Sequence, residues 1–142
     1  MKDIIESIRR VLRKDPLVFA MVGADNDGEV KIYQAIAKQD SIAPYIVMNV
    51  VPGDTPISTY GEDYAIEVLT IQLTAWGRNS KEAWQLADAI QDAVAVGQYD
   101  AGLWDFMKGK RVTFPGELPD RDTALVQVPA SYEFQFGRGG RT

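Results

Sequence analysis

Apolar residues in the first stretch of the chain recur at helical spacing. Ile4, Ile5, Ile8, Val11 and Leu12 fall on one face, which predicts a helix over residues 2–14. Arg9, Arg10, Arg13 and Lys14 load its last turns, where cations suit the negative end of the helix dipole. Pro16 disfavours helix at Asp15 and predicts a stop there. Residues 17–22 form a short apolar segment, enough for one or two further turns. The run GADNDG at 23–28 reads as a loop by composition.

The period then changes from helix to strand. Residues 31–37 predict a first strand and residues 44–51 a second, since Pro44 is tolerated as a strand's first residue. Residues 52–62 read as a polar loop. Residues 63–76 predict a long strand whose apolar set switches from Tyr64, Ile66 and Val68 to Leu69, Ile71, Leu73 and Ala75. A period of two cannot change face without an extra residue, so a bulge or sharp twist is expected near Val68 and Leu69. Ser80 is the expected cap of a helix carrying Glu82 in its first turn. Its apolar stripe is Ala83, Leu86, Ala87, Ile90, Ala93 and Val94, with Trp84 beside it and Gly97 as the stop.

The last third mixes an irregular apolar segment with a clean strand. Residues 100–108 hold Leu103, Trp104, Phe106 and Met107 without a period. Residues 110–114 predict a short strand and residues 115–122 a turn. Over residues 124–136, Ala124, Val126, Val128, Ala130, Tyr132, Phe134 and Phe136 alternate with Leu125, Gln127, Pro129, Ser131, Glu133 and Gln135. The even set is expected to face the helices. Pro129 cannot donate to a ladder and marks an edge or a bulge. The pattern sums to an α+β fold, an antiparallel sheet with helices packed on one face. One domain is expected over residues 1–136, with a flexible tail at 137–142.

Composition narrows the chemistry. The chain has 142 residues, with 46% hydrophobic and 25% charged, ordinary globular usage at the size of one domain. It has no Cys and no His, which removes thiol nucleophiles, Cys/His zinc sites and a histidine general base. Its net charge of −5 is a poor match to duplex DNA, whose phosphates demand cations. No apolar run approaches the roughly 20 residues of a membrane span. Residues 1–14 lack the apolar core of a signal peptide, so a cytoplasmic origin is expected.

Carboxylate groups at Glu62 and Asp63, at Asp120 and Asp122, and at Asp25 and Asp27 match no ligand pattern. Solvated turns account for them, and no catalytic, metal or cofactor residue is assigned. The GRGGRT terminus carries Arg138 and Arg141, too few cations for nucleic-acid affinity but suited to docking on a partner. Trp76 and Trp84 are expected to pack near one strand–helix junction. The basic residues Arg9, Arg10, Arg13 and Lys14 stand against an acidic remainder. Ordinary helix-end charging and a contact between copies both account for that asymmetry.

Taken in order, a first helix ending in KDP, a strand with PYIV, a strand with IQLTAW and a helix opening SKEAWQLADAIQDAV carry a resemblance. This succession resembles the siphophage tail-completion family, related in fold to tail terminators. The resemblance spans about residues 1–136. It implies a structural virion protein at the head–tail interface, assembled in the host bacterial cytoplasm. Subunits would form a hexameric ring that caps the tail tube and meets the head connector. It implies no catalytic residue, no cofactor, no membrane partner and no direct nucleic-acid contact. The candidate interface residues are Arg9, Arg10, Arg13, Trp104, Gln127, Glu133, Gln135 and Arg138. The alternative from the residues alone is a small cytoplasmic ligand-binding or adaptor domain with a pocket near Trp76 and Trp104.

Overall fold

The computed structural model describes residues 2–25, 27–35, 37, 42–51, 57–58, 64–97, 99, 106–113, 116–119 and 124–139. Two helices open the chain, α1 (Lys2–Lys14) and α2 (Pro16–Val22). The residue pair that stops the first also starts the second. Asp15 accepts hydrogen bonds from the backbone N–H of Leu17 and Val18, each at 3.0 Å. Pro16 follows at the first helical position, where its missing donor costs nothing.

Seven strands form one sheet: β1 (Ile32–Gln34), β2 (Tyr45–Val50), β3 (Ile57–Ser58), β4 (Tyr64–Gly77), β5 (Phe106–Arg111), β6 (Leu118–Pro119) and β7 (Val126–Gly139). The order is β1-β2-β4-β7-β5, with β3 added to β4 and β6 to β7. The third helix, α3 (Ser80–Val96), connects β4 to the β5 side. The fold is α+β with its helices packed on the sheet, as the pattern predicts. One pair departs from the antiparallel expectation: β1 runs parallel to β2, paired Ile32 to Ile46 through Gln34 to Met48. A parallel neighbour requires the chain to return to the starting end. Ala35, at φ 69°, turns the chain out of β1 into that return.

The central ladder joins β4 to β7 from Tyr64–Gly139 to Gly77–Val126 without a break. The bulge expected near Val68 and Leu69 is therefore absent. The apolar switch has another cause: both faces of β4 carry apolar positions, so no residue changes face. Leu69, Ile71, Leu73 and Ala75 are buried on the helix side, while Val68 is half-buried on the other. Opposite them, Val128, Ala130, Tyr132 and Phe134 of β7 are buried as predicted. They share a core with Ile4, Ile8 and Leu12 of α1, Val18 and Val22 of α2, and the whole predicted stripe of α3.

Pro129 lies in the second-longest-paired side of a central strand, not at a sheet edge. Ser131 donates to Thr113 Oγ1 at 2.8 Å and accepts from Val112 N–H at 2.9 Å, so its backbone points toward the β5 side. Pro129, two residues earlier, points the same way by the period of the strand. There it falls between β6, which pairs at Val126 and Gln127, and β5, whose last residue, Arg111, pairs at Tyr132. Its missing donor meets a gap in the sheet.

Five strands differ from the expected bounds by more than a residue, the first of them β1, which spans only Ile32–Gln34 of the expected 31–37. The strand placed at 110–114 is β5, which starts at Phe106 and so absorbs part of the segment read as irregular. The spans read as a loop at 52–62 and a turn at 115–122 hold the two-residue strands β3 and β6. β7 runs to Gly139, its last residues paired with Ile66, Ala65 and Tyr64, three residues into the segment expected to be a flexible tail. Glycine lacks strand propensity, but β4 supplies a partner for each of these residues, and β5 a second one for Gly137.

The cap of α3 is Asn79, not Ser80. The Asn79 side chain accepts from Glu82 N–H at 2.9 Å. Glu82 in turn accepts from Arg78 Nε and Nη2 at 3.0 and 2.6 Å, and from the Arg78 backbone N–H. The bonds from Arg78 hold the Glu82 carboxyl below its ordinary 4.5, against a smaller opposing effect of burial. A depressed carboxyl stabilises the fold above that ordinary value and loses the contribution as pH falls through the folded value. Melting temperature should thus drop more steeply below about pH 4.5 in the natural protein than in Glu82→Gln. Parallel curves for the two would show that the Arg78 contact adds nothing.

Candidate assembly surfaces

The helices cover one face of the sheet, and β7 presents its odd residues on the other. Gln127, Glu133 and Gln135 share that helix-free face and are half-buried there. Cross-strand partners extend them into a polar band. Lys108 pairs with Gln135 and Lys110 with Glu133 on the β5 side, while Thr70 and Gln72 of β4 pair with Glu133 and Ser131. Gln135 Nε2 donates to Glu133 Oε1 at 3.1 Å. Lys108, Lys110, Glu133 and Gln135 line a small cavity of about 120 Å³. Opposite charges placed directly across a ladder stabilise it modestly and leave a charged, hydrogen-bonding surface.

An aromatic patch closes the same face at its other end. Tyr45 stacks on Trp76 with ring centres 5.7 Å apart, and Tyr33 meets Tyr45 edge-on at 6.0 Å. Ala43, Val47 and Leu125 pack around them. Trp84 is on the other side of the sheet, packed against the main core, with its Nε1 donating to Glu117 Oε1 at 3.0 Å. The two tryptophans therefore do not share a junction. β4 and α3 meet there, but the even parity of Trp76 sends it away from the helices.

The predicted cations form a second surface. Arg9 and Arg13 line a cleft of about 300 Å³ with Glu29, Val30 and Ile32, and Arg13 stands 4.0 Å from Glu6. Arg10 lines a different cleft, with Ser7 and Lys14, beside the end of α3. The structure thus separates the predicted residues into a helix-free face and the α1 surface. Arg138 sits in the β7 ladder opposite Ala65. Trp104 lies outside the described residues.

Five contributing residues were not read from the sequence. Lys108 joins the polar band because β5 starts early, at Phe106, and Lys110 because β5 pairs with β7 opposite Glu133. Tyr33 and Tyr45 join Trp76 because three neighbouring strands carry aromatics at one cross-strand level, a signal visible only once their order is known. Ser7 is buried in a helix whose other inward residues are apolar.

The ionisable groups offer little chemistry. Burial raises the hydroxyls of Tyr99 and Tyr132, the latter to about 12, so both stay protonated at neutral pH. Lys31 is lowered by burial and by nearby Arg78, against Glu82 and Asp25. Among the described residues no three His, Cys, Asp or Glu side chains group as a metal site. No helix among them is long and apolar enough to cross a membrane.

Comparison with known proteins decides the family. The family model described as "Tail completion protein gp17" matches residues 6–135, from α1 through the polar band of β7. The chain belongs to the tail completion protein gp17 family. Membership makes it a structural tail protein of a phage-like virion. Among solved structures, a chain of the virion of a native gene transfer agent particle aligns with TM-score 0.66 at 14% identity, covering 93% of this chain and 92% of that one. At that identity the likeness is one of fold. A second solved chain aligns at TM-score 0.43 and 16% identity over 93% of this chain and 94% of its own, too loosely to carry an argument. No curated protein matches the sequence. Every tail-completion segment quoted above, from KDP to the α3 helix, falls within or at the border of the matched region.

Proposed function

We propose that this tail completion protein is a ring subunit that caps the finished tail tube and joins it to the head connector. The observation that carries the reading is the family match across almost the whole fold, residues 6–135. Two further features support it. Among the described residues the sheet keeps one face free of helices, with a polar band suited to a wet, reversible protein contact. The basic α1 of an acidic chain favours contacts between copies or with acidic neighbours. The ring is hexameric in this reading, sits at the head–tail interface of the virion, and is assembled in the host bacterial cytoplasm. It acts without catalysis, cofactor or direct contact with nucleic acid. A small-molecule pocket beside Trp76 has less to support it, because that ring is stacked on Tyr45.

The test is depletion of the protein during particle assembly. Filled heads and separate, full-length or overlong tails should accumulate, and adding the purified protein should restore joined particles. Joined, infectious particles formed in its absence would overturn the reading.

A further inference from the structure

The cleft between α1 and the end of α3 has a volume of about 370 Å³ and is lined by Ser7, Arg10, Val11, Lys14, Asp15, Ala93, Val96 and Gly97, its one carboxylate, Asp15, being held as the cap of α2. It holds a polar group with no use inside the subunit. Ser7 is 2% exposed, and its hydroxyl has no hydrogen-bond partner among the described residues. Such orphans are rare in folded proteins and call for a partner. An apolar one stands beside it, since Val96 is 76% exposed. Ser7, Arg10 and Lys14 follow one another at i, i+3 and i+7, so they share one face of α1.

The same spacing recurs with the opposite charge on α3. Gln85, Asp88 and Asp92 are exposed at i, i+3 and i+7, turned away from the buried Ala83, Leu86, Ala87 and Ile90. We propose that the Gln85–Asp88–Asp92 face of one copy packs along the Ser7–Arg10–Lys14 face of the next. Two carboxylates one turn apart then meet two cations one turn apart. The inference rests on the ring reading and names its subunit contact. The contact is heterologous, joining different surfaces of identical chains, and repetition of such a contact makes a ring where its rotation closes. The net charge of −5 makes distant copies repel, so a local basic strip on α1 fixes where and how they meet.

The chain has no Cys, which leaves a clean background for cross-linking. Particles assembled with the Lys14→Cys/Asp92→Cys protein and treated with a short bismaleimide should yield a ladder of covalent multimers. Neither single variant should pass the dimer. Arg10→Glu/Lys14→Glu and Asp88→Lys/Asp92→Lys should each fail to enter particles while keeping the natural melting temperature, and the four-fold variant should enter again. Particles that contain the double-cysteine protein without multimers would overturn the contact, as would free entry of either charge-reversed variant or no recovery in the combination. Failure of the natural protein itself to enter particles would instead defeat the ring reading.

Discussion

Phe134→Ala should lose about 3–5 kcal/mol of unfolding free energy in a denaturant titration. Phe134 is fully buried in the middle of β7, the strand that pairs with β4 along its whole length. Its ring meets Tyr99 edge-on at 6.0 Å. On β5 its partner across the ladder is Gly109, where an added Cβ would come within 2.5 Å of the ring. The aromatic thus fills the space that glycine leaves open, and no side chain at Gly109 can move in once it is gone. A void that cannot collapse places the loss toward the upper part of the range. Small domains are stable by only about 5–15 kcal/mol, so the variant should approach unfolding at moderate temperature. Gln135→Ala, on the opposite face and half-exposed, should change stability little. Equal losses for both would invert the register of β7.

The contrast between Phe134 and Gln135 was legible from alternation alone, because one face of β7 is buried under helices and the other is not. The stripe of α3 was legible for the same reason. What alternation cannot give is strand order. β1 against β2 in parallel, β5 against β7, and the level shared by Tyr33, Tyr45 and Trp76 are decided by contacts far apart in sequence. Period also misled at β4. Apolar residues at Tyr64, Ile66 and Val68 suggested a change of face, whereas the β4–β7 ladder is unbroken there, so alternate residues keep their faces along the whole strand. The glycines misled at the C-terminus, where β4 holds Gly137 and Gly139 in the ladder, and β5 also pairs with Gly137, despite their low strand propensity. Of the candidate surface, Gln127, Glu133 and Gln135 follow from parity. Their lysine partners depend on where β5 begins, and Ser7 depends on how α1 meets α3.

Gly77→Ala should be the most damaging of the small substitutions, costing about 3 kcal/mol, the upper part of the usual overpacking range. Gly77 ends β4 where the chain turns into α3, and its need is for space. A Cβ there would lie 2.5 Å from Ala83 N and 2.9 Å from Ala83 Cα. These are backbone atoms of the helix's first turn and cannot rotate aside. Ala83 N–H donates to Asn79 O at 3.1 Å, and the Asn79 side chain holds Glu82 N–H. Pushing Ala83 away therefore strains the cap, the Arg78–Glu82 contact and the seat of a fully buried residue together. Gly116→Ala is the control, since an added Cβ there meets nothing within 4 Å. It should leave stability within about 0.5 kcal/mol of the natural protein. Urea midpoints for the two variants decide the matter: coincident values would mean that α3 tolerates displacement from β4. Because this junction sets the angle of α3, it also sets where Asp88 and Asp92 are presented. Gly77→Ala should accordingly weaken entry into particles beyond what its stability loss explains, measured at a temperature where the variant remains folded.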